Sequence, residues 1–170
     1  MNATGELDPS RRSLTMSVPT LYEWSGGQQA LEKLTDVFYG KVLEDELLRP
    51  IFENMSPEHT KYVAHFIAEV FKGPNLYTEG DGGNHAKMVA HHLGKNLTEA
   101  HRKRWIDLLL ETADEIGIAD DPEYRSAFVG YLEWGSRLAV INSDETDNPI
   151  DEDEPMPEWG WGETGGPYQP

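Results

Sequence analysis

The chain predicts an all-α domain, and three observations carry that prediction. Apolar residues recur at helical spacing in four separate segments, and residues that start and stop helices bracket them. No stretch alternates apolar and polar residues in the manner of a half-buried strand.

Residues 1–19 mix Asn, Thr, Gly, Asp, Pro, Ser and Arg without apolar period and read as a disordered leader. From Thr20 the pattern becomes helical. Gly26-Gly27 separates a short first helix from a second, in which Leu31, Leu34, Phe38 and Val42 share one stripe. Arg49-Pro50 then breaks helical continuity, because proline drives the residue before it out of the α region. Ile51-Phe52 follows as an apolar knot in a connecting turn. Ser56-Pro57-Glu58 reads as a helix start: a capping hydroxyl, proline at the first helical position, acid in the first turn. The stripe beyond it is Val63, Phe66, Ile67, Val70 and Phe71, and Gly73-Pro74 stops it.

Gly80, Gly82 and Gly83 make residues 75–84 an unusually loose loop. A short helix follows, with Met88, Val89 and His92 on one face and Gly94 closing it. Thr98 can cap the next helix, whose face is Trp105, Leu108, Leu109, Thr112, Ala113 and Ile116, ended by Gly117. Asp121-Pro122-Glu123 opens the last helix, with Phe128, Tyr131, Leu132, Gly135, Leu138 and Ala139 inward. The period ends after Asn142. The organisation is thus a leader (1–19), a helical domain (20–142) and an acidic tail (143–170) that carries Trp159 and Trp161.

The 170 residues are enough to bury a core and enclose a ligand. Cysteine is absent, which excludes disulfides, thiolate metal sites and cysteine nucleophiles. A formal charge of −17, from 14 basic against 31 acidic residues, repels phosphate backbones and argues against nucleic-acid or anionic-membrane partners. No apolar run reaches the length of a membrane helix, and Arg11-Arg12 is followed by no continuous apolar stretch, so no secretory signal is read. A soluble cytoplasmic protein is the expectation.

Six histidines are available, yet His-Glu-x-x-His, the Glu-x-x-His pair of di-iron bundles and the Gly-x-Ser-x-Gly elbow are all missing. The glycines at 80, 82 and 83 do not make a dinucleotide cradle. A single-histidine axial ligand inside a helical sandwich remains. Met88 and His92 are i, i+4 neighbours, and Gly94 turns the chain away, leaving an imidazole at a helix end. His59 continues the Val63–Phe66–Ile67 stripe toward its N-terminus, where a polar residue suits the far wall of a pocket that Phe52 could edge. From spacing alone, His92 reads first as a surface or capping histidine, Trp105 as a core residue and Tyr39 as a phenol near the core. His65 and His101 read as solvated.

Taken jointly, Gly26-Gly27, Phe38-Tyr39, Phe52, Phe71-Lys-Gly73-Pro74-x-x-Tyr77, His85-x-x-Met88-x-x-x-His92 and Trp105 resemble the truncated haemoglobins, over about Tyr22 to Asn142. The thirteen-residue separation of His92 from Trp105 resembles group II of that family. The resemblance implies a globin-like 2-over-2 helical sandwich holding one haem b, with His92 as proximal iron ligand and the opposite side open to O2, CO or NO. It implies that Tyr39 and Trp105 donate hydrogen bonds to the gas ligand. It places His59 and Val63 on the distal helix facing that ligand, and Phe52, Tyr62 and Met88 among the haem contacts. His91 stands where an arginine commonly meets a haem propionate.

Reversible O2 binding, with oxygen transport as one use, is the leading expectation. The alternative is peroxidase or NO-dioxygenase turnover fed by a separate reductase, since no reductase domain is encoded here. A third is a cofactor-free helical adaptor whose Trp159/Trp161 tail binds a partner. A homodimer is the assembly to test.

Overall fold

The computed structural model describes residues 17–170. The leader reading for residues 1–16 lies outside the described residues; residues 17–19 carry no regular structure. The elements are α1 (Leu21–Trp24), α2 (Gly27–Val42), α3 (Arg49–Phe52), α4 (His59–Val70), a π-helical turn (Leu76–Gly80), α5 (His85–Ala90), α6 (Glu99–Ile116), α7 (Pro122–Ser143) and a 3-10 turn (Gly162–Thr164). No strand occurs among the described residues. The all-α prediction holds. α2 packs on α4 and α6, and α6 packs on α7, so the long helices enclose one core.

The stripes read from sequence form that core. Leu31, Leu34, Phe38 and Val42 of α2 are fully buried, as are Ile67, Val70 and Phe71 along α4. Leu108, Leu109 and Ala113 of α6 meet Phe128, Tyr131 and Leu132 of α7 in the same cluster. Each fully buried large apolar side chain contributes about 1.5–3 kcal/mol of transfer free energy. The caps at Thr98 and Asp121 also form, each accepting from the backbone N–H three residues on.

The structure differs from the sequence reading at six places. α2 ends at Val42, well before Pro50, and Pro50 sits in the first turn of α3, where a missing N–H costs nothing. Phe52 therefore closes a one-turn helix. α4 starts at His59, and Ser56 supplies its carbonyl, not its hydroxyl, to the His59 N–H. The glycine-rich stretch is bound down: the Glu69 carboxylate accepts from the Tyr77 and Thr78 N–H groups and the Thr78 hydroxyl. Gly83 fits there because its neighbour is an aromatic face; a Cβ would lie 2.3 Å from the Tyr77 ring.

His65 is not solvated. It is 5 % exposed, with Nδ1 2.7 Å from Asp81 and Nε2 2.8 Å from Glu32. Its long-range partners come from α2 and the turn after the π-helical segment, which sequence spacing does not reveal. His101 likewise has a role: its Nδ1 accepts the Thr98 N–H, completing a capping box.

The tail folds back on the body. Trp159 donates its backbone N–H to Val70 and its indole N–H to Ala127, and Trp161 donates to the Pro19 carbonyl. Trp161 belongs to the core cluster, edge-on to Trp24 and Tyr124. Residues 144–149, among them Asp144, Glu145 and Asp147, are exposed between α7 and these anchors.

Candidate functional site

A cavity of about 440 Å3 opens between α2, α4, α5, α6 and α7. This is the size of a cofactor or ligand pocket. Tyr39, Phe52, His59, Tyr62, Val63, Met88, His91, His92 and Trp105 all line it, so the fold brings every residue singled out from the sequence to one place.

One wall is aromatic. The α2 stripe carries Phe38 inward, and Tyr39, one position on, turns toward the cavity. Tyr39 meets Phe38, Phe52 and His59 edge to face, with centroids 4.8, 5.5 and 4.9 Å away. Trp105 packs edge-on against Phe38 at 5.3 Å. Burial pushes the Tyr39 phenol well above its ordinary range, and a hydrogen bond from Trp105 opposes that shift only in part. Tyr39 therefore keeps its proton and remains a donor. The Trp105 indole, which can only donate, lines the same cavity as the phenol.

The α5 segment supplies another part of the lining. α5 is a single short helix, started by Asn84, whose side chain accepts the Lys87 N–H, and its chain turns at Gly94 with φ of 72°. His92 lies two residues past its last helical residue, in a turn held by its own N–H to the Val89 carbonyl. Burial lowers the His92 pKa to about 4; His91, His59 and Lys95 add repulsion, and a hydrogen bond to the Met88 carbonyl opposes them. At neutral pH His92 is an uncharged imidazole with one nitrogen free to accept or ligate.

His59 is also pushed down to about 4, by burial first and then by His91 and Lys95. Its Nε2 is buried without a hydrogen-bond partner. A buried nitrogen of this kind costs stability unless something fills the space before it. His91 is exposed at the rim, and Lys95, which the sequence reading passed over, lines the same edge. Lys95 stands one residue beyond Gly94, and its position on the exit turn from His92 was the available signal. Ile150 and Pro157 of the tail also line the cavity, and no periodicity marks them.

The residues present fit a haem. The cavity lining is predominantly apolar, with Val63, Ile67, Val89, Leu132, Leu138 and Ala139 suited to a flat macrocycle. An uncharged His92 suits an iron, and His91 and Lys95 offer positive charge at the rim for carboxylates.

The bacterial-like globin family matches residues 20–133. The group 2 truncated haemoglobin YjbI of Bacillus subtilis is 31% identical over 121 residues, which cover 71% of this chain and 89% of the relative. The crystal structure of the truncated oxygen-avid haemoglobin from Bacillus subtilis superposes with a TM-score of 0.62 at 31% identity, covering 72% of this chain and 99% of that one. The Tyr26Ala mutant of the group II truncated haemoglobin from Bacillus anthracis gives a TM-score of 0.65 at 28% identity, covering 73% of this chain and 92% of that one. With the helical order, these likenesses show that the chain belongs to the bacterial-like globin family, as a haem globin among the group II truncated haemoglobins.

Proposed function

We propose that this globin holds haem b through His92 and binds O2 reversibly, with CO and NO as competing ligands, in the cytoplasm. One observation carries the reading. A half-buried, uncharged His92 and the Tyr39–Trp105 donor pair line the same apolar cavity. When bound, the haem would supply an iron that His92 would hold and that takes up a diatomic gas.

The chain's own residues then divide the work. His92 lines the cavity as an uncharged imidazole and would hold the iron. Val63, Ile67 and Val89 keep water out, which strengthens every hydrogen bond made inside. Tyr39 donates its O–H toward the gas, and Trp105 offers its N–H either to Tyr39 or to the gas itself. Donors of this kind stabilise a ligand that gains negative charge, so they slow release more than they speed entry. The oxygen-avid relative from Bacillus subtilis supports this direction.

Haemin titration tests the reading: one equivalent should saturate a Soret band, and reduction under CO should give a ferrous–CO spectrum. Helical protein that leaves the haemin spectrum unchanged would contradict it and favour the cofactor-free adaptor.

A second reading, peroxidase turnover with electrons from a separate reductase, draws on the unpartnered His59 Nε2. That nitrogen is positioned to take a proton from a peroxide entering beside Tyr39. Turnover by the loaded protein that does not exceed free haemin, or that survives His59→Leu unchanged, would remove this reading.

A further inference from the structure

Residues beyond the matched globin region grip the His92 segment from both sides. Upstream of His92, the Asn148 side-chain N–H donates to the Ala86 carbonyl at 2.8 Å. Downstream, the Gly94 N–H reaches the Glu145 carbonyl at 3.1 Å, and the Asn96 N–H reaches the Ser143 carbonyl at 3.1 Å. The Leu97 N–H reaches the Ser143 hydroxyl at 2.9 Å. Four hydrogen bonds thus run from residues 143–148 to residues 86–97, where the family match has already ended at 133.

We propose that residues 143–148 form a proximal clamp, with Asn148 as a positioning residue that holds the His92 segment against the cavity. The proposal rests on the reading of His92 as the iron ligand.

The physical need for a clamp is plain from the local structure. α5 has six residues, about half the length at which an isolated helix becomes even marginally stable. His92 lies beyond its end, and the turn that carries it has three internal backbone bonds: its own N–H to Val89 at 2.9 Å, the Leu93 N–H to Ala90 at 3.4 Å and the Lys95 N–H to the His92 carbonyl at 3.3 Å. A segment so short takes its conformation from what it packs against.

The tail supplies that support because it is itself fixed at both ends. Ser143 is fully buried at the end of α7, and its hydroxyl also donates to the Val140 carbonyl at 2.6 Å. Trp159 and Trp161 anchor the other end on Val70, Ala127 and Pro19. Between the anchors, Asn148 makes a second contact: its side-chain oxygen accepts the Ile150 N–H at 3.1 Å. That bond shapes the turn leading to Ile150 on the cavity wall, and Pro157 lines the wall further on. The same amide therefore joins the α5 backbone to the strand of tail that closes the pocket.

The test uses the full-length chain. Asn148→Asp keeps an oxygen for the Ile150 N–H but removes the donor to Ala86; Asn148→Ala removes both. Glu154→Gln, on an exposed acidic residue, serves as control. In the haem-free protein, amide hydrogen exchange across residues 86–97 should accelerate about fivefold in both Asn148 variants, the change expected for one lost neutral hydrogen bond. Exchange in α2 and α6 should stay as in the parent. In the loaded protein, haem loss to an excess of a scavenging apoglobin should rise by a similar factor, and the iron–histidine stretching band should shift or broaden. Unchanged exchange across 86–97 together with unchanged haem loss overturns the clamp. A persisting iron–histidine band in His92→Ala overturns the ligand assignment instead, and the exchange measurement on haem-free protein still decides the clamp.

Discussion

The Tyr39 ring meets the His59 ring edge to face, with centroids 4.9 Å apart and planes at 88°. This contact sets two polar side chains together in the lining of the cavity that Trp105 and His92 also line.

Tyr39→Phe and Trp105→Phe should each speed O2 release about tenfold, the effect of losing one hydrogen bond to a charge-bearing acceptor. Association should change much less. Because the two donors would act on the same bound gas, the double variant should fall short of the product of the single effects. Stopped-flow displacement of O2 by CO measures this, and unchanged release in both single variants removes the distal-donor account.

The cavity histidines predict an acid-sensitive haem-free protein. His59 and His92 have folded pKa values near 4, against 6.5 for an unperturbed imidazole. Between those values the unfolded chain binds protons that the folded chain refuses, so stability rises with pH through this window. The full contribution is present above pH 6.5 and is lost as pH falls toward 4. Urea unfolding at pH 7.5 and pH 5 should show a lower midpoint at pH 5, and His59→Leu should shrink the difference. A midpoint independent of pH across that range contradicts the burial argument.

His65→Ala should destabilise the fold by about 1–3 kcal/mol, the cost of leaving a buried polar group without its partner. The Asp81 side chain is only 6 % exposed, and the Lys61 ammonium is 3.9 Å away. The two His65 ring nitrogens contact Asp81 and Glu32, tying α2, α4 and the 75–84 turn together. Chemical denaturation checks the loss, and a loss below about 1 kcal/mol would mark the bridge as a surface-type contact.

These cases show what was legible in the sequence. The stripes of α2, α4, α6 and α7 were, because each encodes its own burial through spacing along one helix. Asp121 and Thr98 were legible as caps for the same local reason. His65 was misread because its partners lie 33 and 16 residues away, and only the folded chain brings Glu32 and Asp81 together. The firmness of residues 75–84 comes from Glu69, a side chain on another element. The cavity residues were legible mainly through a joint pattern; Tyr39 alone said no more than a buried phenol. The tail's contacts with α5 carry no period at all.

Trp161→Ala should cost about 3–5 kcal/mol, as for other large aromatic side chains removed from a core. Trp161 is 9 % exposed and its indole N–H donates to Pro19 at 2.7 Å. The thermal midpoint should fall by about 10 °C for a chain of this size. An unchanged midpoint would show that the tail does not dock in solution.

The central claim is that His92 holds the iron, and resonance Raman of the ferrous, gas-free protein tests it most directly. The parent chain and His91→Ala should show an iron–histidine stretching band, and His92→Ala should lack it, with the band restored by added imidazole. A band retained in His92→Ala, or lost in His91→Ala, contradicts the account.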